Sequence, residues 1–303
     1  MSQRKIALIA ILTAAFFWST AAVVSKILLQ TFNPFFLAFL RFVIASIGIT
    51  VVLVRRKIRL THIIKPDILP LGLLISGNIA LFYLGLPYTT ATATGLIYAI
   101  SPIVVTIAAY LFLHEAISKN KWTGIILGAL GIAIIVISPV FDQIHNTLGT
   151  IKGNLIILMG TLAWAGYTVY SRHIIAKKHY EPLQLTAVSF YVAAVVFLLL
   201  ALVSGQWQTD VGIFTLKSTS LVLYTGVLMT VVTYVLHQWA IKHTSASTAS
   251  LTSYIQPVSA TLLAIIILGE QFTLGYIIGS ILVFMGLTFA TSAQIRGKLF
   301  GKK

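Results

Sequence analysis

Ten apolar runs follow one another along the chain, separated by short polar or charged segments. They fall at 6–29, 34–54, 67–86, 91–113, 121–140, 153–175, 183–204, 216–240, 245–268 and 273–293. A run of about 20 apolar residues spans the hydrocarbon core of a bilayer. Most of these runs are apolar around the whole helical circumference, which separates them from the one-sided helices of a soluble bundle. They are too long for barrel strands and lack period-two alternation. The pattern therefore predicts an all-α membrane protein of ten transmembrane helices. The longest loops, roughly 55–66 and 139–152, are too short to fold alone.

Composition agrees with the pattern. The mean hydropathy is +0.98, and 58% of the 303 residues are hydrophobic against 9% charged, more apolar surface than a soluble domain of this size can hide. The net charge of +15 would suit a nucleic-acid partner, but its distribution points elsewhere. Seventeen of the 21 Lys and Arg fall at the termini and on alternate loops that share one side with them, only Lys152 and Lys217 lie on the other side's loops, and Lys26 and Arg41 lie within or near spans. By the positive-inside rule both termini are expected in the cytoplasm of a cell whose inner membrane the chain crosses. No nucleic-acid partner is expected. The first run has a basic start like a secretory leader, but it continues past any cleavage point and is read as a retained helix. The chain has no cysteine, which excludes disulfides, thiolate metal sites and a cysteine nucleophile. The seven histidines are scattered with no ligand spacing, so no metal and no cofactor are predicted.

The chain repeats itself. "FFWSTAAVVSKILL" from Phe16 parallels "LAWAGYTVYSRHII" from Leu162, pairing Trp18 with Trp164, Ser25 with Ser171 and Lys26 with Arg172; Pro34 and Pro182 open the runs that follow. Further on, "ATATGLIYAISPIVVTIAAYLFLHE" from Ala91 parallels "ASTASLTSYIQPVSATLLAIIILGE" from Ala246, pairing Pro102 with Pro257 and Glu115 with Glu270, and Gly124 and Gly131 pair with Gly279 and Gly286 in the same register. Each half holds five spans, so the second enters the membrane upside down. The expectation is two inverted five-helix repeats, residues 1–148 (spans 1–5) and 149–303 (spans 6–10). In transporters such repeats place the substrate near the midplane between the halves.

These features resemble the drug/metabolite transporter superfamily, specifically its EamA-type members of ten helices. The resemblance covers the whole chain and rests on the early Trp after an aromatic pair, the mid-helix Pro followed thirteen residues later by Glu in spans four and nine, and the Gly-rich spans five and ten. It implies an inner-membrane carrier or exporter of small metabolites, with a central cavity lined mainly by spans one, three, four, six, eight and nine. Spans five and ten are implied to lie at the periphery or at a dimer contact.

The substrate-binding candidates are Trp18, Asn78, Tyr83, Tyr98, Trp164, Tyr254 and Gln256. Asn78 and Gln256 carry amides near span centres, where each offers donors and an acceptor; the competing role is an interhelical hydrogen bond. Tyr hydroxyls and indole N–H groups at that depth need partners, which favours a wet cavity over lipid. Pro102 and Pro257 sit mid-span as kinks or hinges. Thr230 and Thr233 are expected to bond carbonyls of their own helix. Two residues have a candidate proton or charge role: His237, a side chain that titrates near neutrality, and Arg41, which is costly to leave unpaired within a span. Arg41 either attracts an anionic group of the substrate or bonds backbone carbonyls. Lys26 is read as snorkelling, and Glu115 and Glu270 as ties between helix ends and loops. The glycines of the fifth and tenth runs (Gly124, Gly128, Gly131, Gly275 and Gly279) make small-xxx-small patterns for close helix approach.

The predicted function is secondary transport of small metabolites, amino acids or related compounds, in the direction of efflux, by alternating access. The predicted partners are the substrate and lipid, with a monomer or homodimer as the assembly. A sensor or membrane assembly subunit without transport is the alternative. A lipid-modifying enzyme would need a nucleophile, acid–base pair or metal set at one depth, and the six acidic residues do not supply one, so no catalytic residue is predicted.

Overall fold

The computed structural model describes residues 3–58, 65–113, 119–137, 149–178, 180–208, 210–243, 252–270 and 274–299, with side chains described for all of these but 3–5, 8, 109, 113, 119, 121, 252–259, 287 and 290–299. Among the described residues there is no named strand, and the ten apolar runs become ten rods. The first is α1 (Gln3–Ser19) with α2 (Ala21–Leu28), followed by α3 (Pro34–Arg55), α4 (Leu69–Gly85), α5 (Ala91–Ala99) with α6 (Ser101–Leu113), and α7 (Lys119–Ile137). The second half runs α8 (Ile151–Lys178), α9 (Pro182–Val203), α10 (Leu216–Gly226) with α11 (Thr233–His243), α12 (Thr252–Leu268) and α13 (Leu274–Leu299). Six rods are long and apolar enough to cross a bilayer by composition. One of the others, α8, is less apolar for an identifiable reason: it turns Asn154, Thr161, Thr168 and Ser171 inward, all fully buried. The outward faces are Ile47, Val54, Phe112, Leu199 and Ile266, each more than half exposed, a girdle suited to lipid.

Three of the described rods are interrupted, two of them by identifiable local chemistry. Between α1 and α2 the hydroxyls of Ser19 and Thr20 bond back to the carbonyls of Phe16 and Phe17, both at 2.7 Å; such back-bonding competes with the helix ladder and bends it. Between α5 and α6 the break falls at Ile100, two residues before Pro102. Proline has no N–H, and its ring clashes with the carbonyl four residues back, here that of Tyr98. Between α10 and α11 the six residues Val227–Val232 are π-helical.

The contacts carry the repeat's two-fold. Trp18 and Trp164, one repeat apart, meet each other edge to face with centroids 5.1 Å apart. On the opposite flank α7 crosses α13 glycine to glycine. A Cβ on Gly131 would lie 2.7 Å from the Gly279 carbonyl, and a Cβ on Gly286 would lie 2.6 Å from the Gly124 carbonyl. Exchanging the halves turns the first of these contacts into the second. The fold is thus two inverted five-helix repeats, and the glycine patterns serve close contact within the chain. At the face opposite the termini, Thr89 bridges Gly149, whose φ of +74° leaves no room for a side chain: a Cβ there would sit 2.3 Å from the Thr89 Cα.

Candidate functional site

Where the two repeats face each other they frame a space of about 630 Å³, the open solvent at its mouth included. Trp18, Ser19, Ala21 and Ala22 line it from the first rod, Arg41 from α3, Asn78, Ile79 and Phe82 from α4, Thr94, Gly95 and Tyr98 from α5, Trp164 from α8, Tyr234 from α11 and Ala260 from α12. The break at Thr20 falls between the lining residues Ser19 and Ala21, and the break at Ile100 lies two residues past Tyr98; the π segment acts through the lining residues Trp18 and Arg41, which bond its Met229 carbonyl. Arg41, Asn78 and Tyr98 each stand seven residues from the helix end at the face opposite the termini, so at 1.5 Å per residue they lie about 10 Å below it. Trp18 and Trp164, ten and thirteen residues from that end, lie about 15–20 Å below it and form the floor.

The floor is a knot of rings. Trp18 contacts Trp164, Tyr234 (5.5 Å) and His237 (5.3 Å); Trp164 stacks on Tyr167 at 5.4 Å and meets Tyr234 at 5.7 Å and His237 at 4.9 Å. His237 is fully buried, and neither ring nitrogen has a partner among the described residues. Next to it Gln238 donates to the Tyr167 hydroxyl at 2.6 Å and to Ser171 Oγ at 2.8 Å, leaving its Oε1 buried without a partner.

The polar wall is organised by the π segment. Widening a helix by one residue per turn releases carbonyls from the i−4 pattern, and the freed carbonyl of Met229 becomes a hub. It accepts from Trp18 Nε1 at 3.1 Å, from Thr233 Oγ1 at 2.7 Å and from Arg41 Nη2 at 3.4 Å. Thr230 donates to the Thr225 carbonyl at 2.7 Å and accepts from Arg41 Nε at 2.6 Å. Gly226 makes this geometry accessible: a Cβ there would lie 2.6 Å from Ile44 Cγ2, so only glycine lets α3 approach closely enough. Across the space, Asn78 Nδ2 donates to the Gly160 carbonyl at 2.8 Å and to the Tyr98 hydroxyl at 2.7 Å. A carbonyl can only accept, so this contact fixes which amide atom faces α8. Both amide protons are then used, Asn78 Oδ1 is left without a partner among the described residues, and the Tyr98 oxygen, already accepting, keeps its own proton to donate.

Of the sequence-predicted residues, Trp18, Asn78, Tyr98, Trp164 and Arg41 come together around this space. Tyr83 stands behind the wall, fully buried, where its hydroxyl accepts from Arg41 Nη1 at 3.4 Å. His237 lies under the floor. The side chains of Tyr254, Gln256 and Pro257 lie outside the described residues, on α12. Pro102 stands on the second residue of α6, past the break. Tyr234, Gln238 and the Met229 carbonyl belong to the site but were not singled out from sequence. Gln238 is the legible one of the three, an amide inside an apolar run.

At the face opposite the termini the two repeats are tied by ions. Glu270 accepts from the backbone N–H groups of Ala91 (2.7 Å) and Thr92 (3.0 Å) and from the Thr92 hydroxyl, capping α5 from the other repeat, and Lys26 lies 3.4 Å from it. Lys26 therefore pairs instead of snorkelling. Glu115 lies outside the described residues. At the terminus-bearing face, Lys178 bonds Asp67 at 2.6 Å and Lys242 bonds Glu181 at 2.7 Å. The Asp67 carboxyl is held below its usual range by the Lys178 hydrogen bond first, against an opposing effect of burial. Among the described residues no cluster of His, Asp or Glu is able to hold a metal ion.

The sequence matches the profile of the EamA-like transporter family twice, over residues 5–137 and 151–292. An uncharacterized transporter of Clostridium kluyveri is 30% identical over 285 residues, covering 91% of this chain and 90% of that one. An uncharacterized transporter of Archaeoglobus fulgidus is 26% identical, covering 91% and 94%, and the uncharacterized transporter YoaV of Bacillus subtilis is 24% identical, covering 96% and 99%. A solved crystal structure with 19% identity has the same fold, with a TM-score of 0.71 over 96% of this chain and 98% of the other.

Proposed function

Because the chain belongs to the EamA-like transporter family, we propose that this multi-pass membrane transporter moves small metabolites, amino acids or related compounds, out of the cell by alternating access. The observation that carries the reading is the space between the repeats, with Trp18 and Trp164 in mutual contact at its floor. The space is walled by aromatic rings with a few fixed polar groups, the make-up of small-molecule sites. Inverted repeats interchange their conformations when one rocks against the other. In that movement the ring knot at the floor parts while the opposite end of the space closes. The excess of Lys and Arg near the termini supports a cytoplasmic location for both ends in the inner membrane.

No described acidic side chain reaches the space, so the reading includes no carboxylate for which substrate and proton compete. Transport is then facilitated diffusion or exchange along the substrate's own gradient. His237 is the group through which a proton would couple instead. The test is flux in proteoliposomes over a panel of radiolabelled metabolites, followed by an imposed pH gradient with substrate equal on both sides. The expected result is saturable flux for at least one compound with no uphill movement. Absence of saturable flux across the panel overturns the transport reading, and uphill movement abolished by a protonophore overturns the uncoupled one. A homodimer and a monomer both fit this reading.

A further inference from the structure

Arg41 is a buried cation facing free space. Its residue is 2% exposed and lines the cavity. A guanidinium stays charged whatever its surroundings, and an unneutralised charge within a membrane span is costly. Every hydrogen bond it makes goes to a neutral oxygen: Thr230 Oγ1 at 2.6 Å, and the Tyr83 hydroxyl and Met229 carbonyl at 3.4 Å each. Two of its five N–H groups have no acceptor among the described residues. The described acids are engaged elsewhere: Asp67 with Lys178, Glu181 with Lys242, Glu270 with Lys26, and Asp210 with the Gly212 N–H.

We propose that the missing negative charge is the substrate's own, and that the transported class is organic monoanions: one carboxylate, held by Arg41, on an apolar or aromatic body. This rests on the reading of the cavity as a transport site. Tyr98 supplies a second donor, because its oxygen accepts from Asn78 and only its proton is left to offer. Trp18, Trp164, Phe82 and Tyr234 provide ring faces for the body. One guanidinium matches one charge, and charge-assisted hydrogen bonds to carboxylates are the strong ones. No described acid faces the space, so an ammonium group has no ionic partner there. An amino acid can therefore give its carboxylate to Arg41 but leaves its ammonium unpaired, so it binds more weakly than a monoanion with the same side chain, and a simple amine is rejected.

Equilibrium binding to the purified full-length protein separates the possibilities, using phenylacetate, phenylacetamide and phenethylamine, which share a ring and differ in charge. The expected order is acid, then amide, then amine, with the acid at least about tenfold tighter than the amide, an advantage of about 1.4 kcal/mol. In Arg41→Gln the acid loses its advantage over the amide, and in Arg41→Lys it keeps part of it. An acid that binds no better than the amide, an amine that binds tightest, or an Arg41→Gln protein that still prefers the acid each overturns the proposal. If Arg41→Gln does not fold, the order in the unaltered protein decides. A neutral or cationic ligand that binds without preference for the acid sinks this inference and leaves the transport reading standing. Absence of flux across the metabolite panel sinks the transport reading itself.

Discussion

The seam between α7 and α13 and the walls of the central space are both built from membrane helices, yet they differ in what their backbones do. At the seam two unbroken helices cross with glycine against glycine, close enough that a Cβ on Gly279 would sit 2.9 Å from the Gly131 carbonyl. Around the space the rods are interrupted at Thr20, at Ile100 and through Val227–Val232, and the carbonyl of Met229 that the last of these frees holds Trp18 and Arg41. In lipid there is no hydrophobic force between helices, so association relies on close van der Waals contact at small residues. Irregular backbone is tolerated only where it is buried in protein or lines a wet cavity. The seam shows the first condition and the cavity wall the second.

The comparison breaks most visibly at the seam. Gly131→Leu forces a side chain into backbone that cannot withdraw, and overpacking of this kind costs about 1–3 kcal/mol or more. The expected outcome is a large loss of folded protein after detergent extraction, with flux per folded molecule unchanged. An unaltered melting temperature would show that the seam is loose. At the floor, Trp164 is 5% exposed and contacts four rings, so Trp164→Ala removes core as well as cavity wall and costs about 3–5 kcal/mol. Trp164→Phe keeps much of the bulk, and should lower flux about tenfold (1.4 kcal/mol in binding) at near-normal folded yield. Full flux would remove this ring from the transport path. Asn78→Ala opens the amide link to Gly160 and Tyr98. Buried hydrogen bonds of this kind are worth about 1 kcal/mol each, so the melting temperature should fall by a few degrees while flux falls further; a normal flux would make Asn78 structural.

The smallest effect belongs to the terminus-bearing face, far from both regions. Asp67 is held below its ordinary pKa by Lys178, so its contribution is present above the unfolded value of 3.8 and is lost as pH falls through the lower folded value. Exposed pairs are worth about 0–1 kcal/mol because solvent screens them. Asp67→Asn should therefore lower the melting temperature slightly at pH 7 and not at all once the acid is protonated. A difference that grows at low pH would contradict the assignment.

Much of this was legible in the sequence, for physical reasons. The spans are read from composition because the bilayer demands it. Trp18 and Trp164 are read from the repeat, and symmetry then brings them into contact. Asn78 and Tyr98 are read as polar groups that need partners at depth. The π segment was not legible: Val227–Val232 contains no proline and no charge, and its signal, Gly226 before an apolar run with a single threonine, is shared by ordinary helices. Arg41 was legible as a costly charge. Its choice between an anionic ligand and carbonyls depended on the neutral partners Thr230, Tyr83 and Met229, which only the fold brings near. Tyr83 illustrates the opposite case, an aromatic at the right depth that supports the wall from behind.

The central claim is that the space between the repeats opens to each side of the membrane in turn. The chain has no cysteine, so a single Ala22→Cys in the cavity wall reports access directly, with Ile49→Cys, fully buried in the core, as the control. Membrane-impermeant thiol reagent is applied to right-side-out and to inside-out vesicles. The account predicts that Ala22→Cys reacts in both orientations and Ile49→Cys in neither. Reaction of Ala22→Cys from one side only, or from neither, would contradict it.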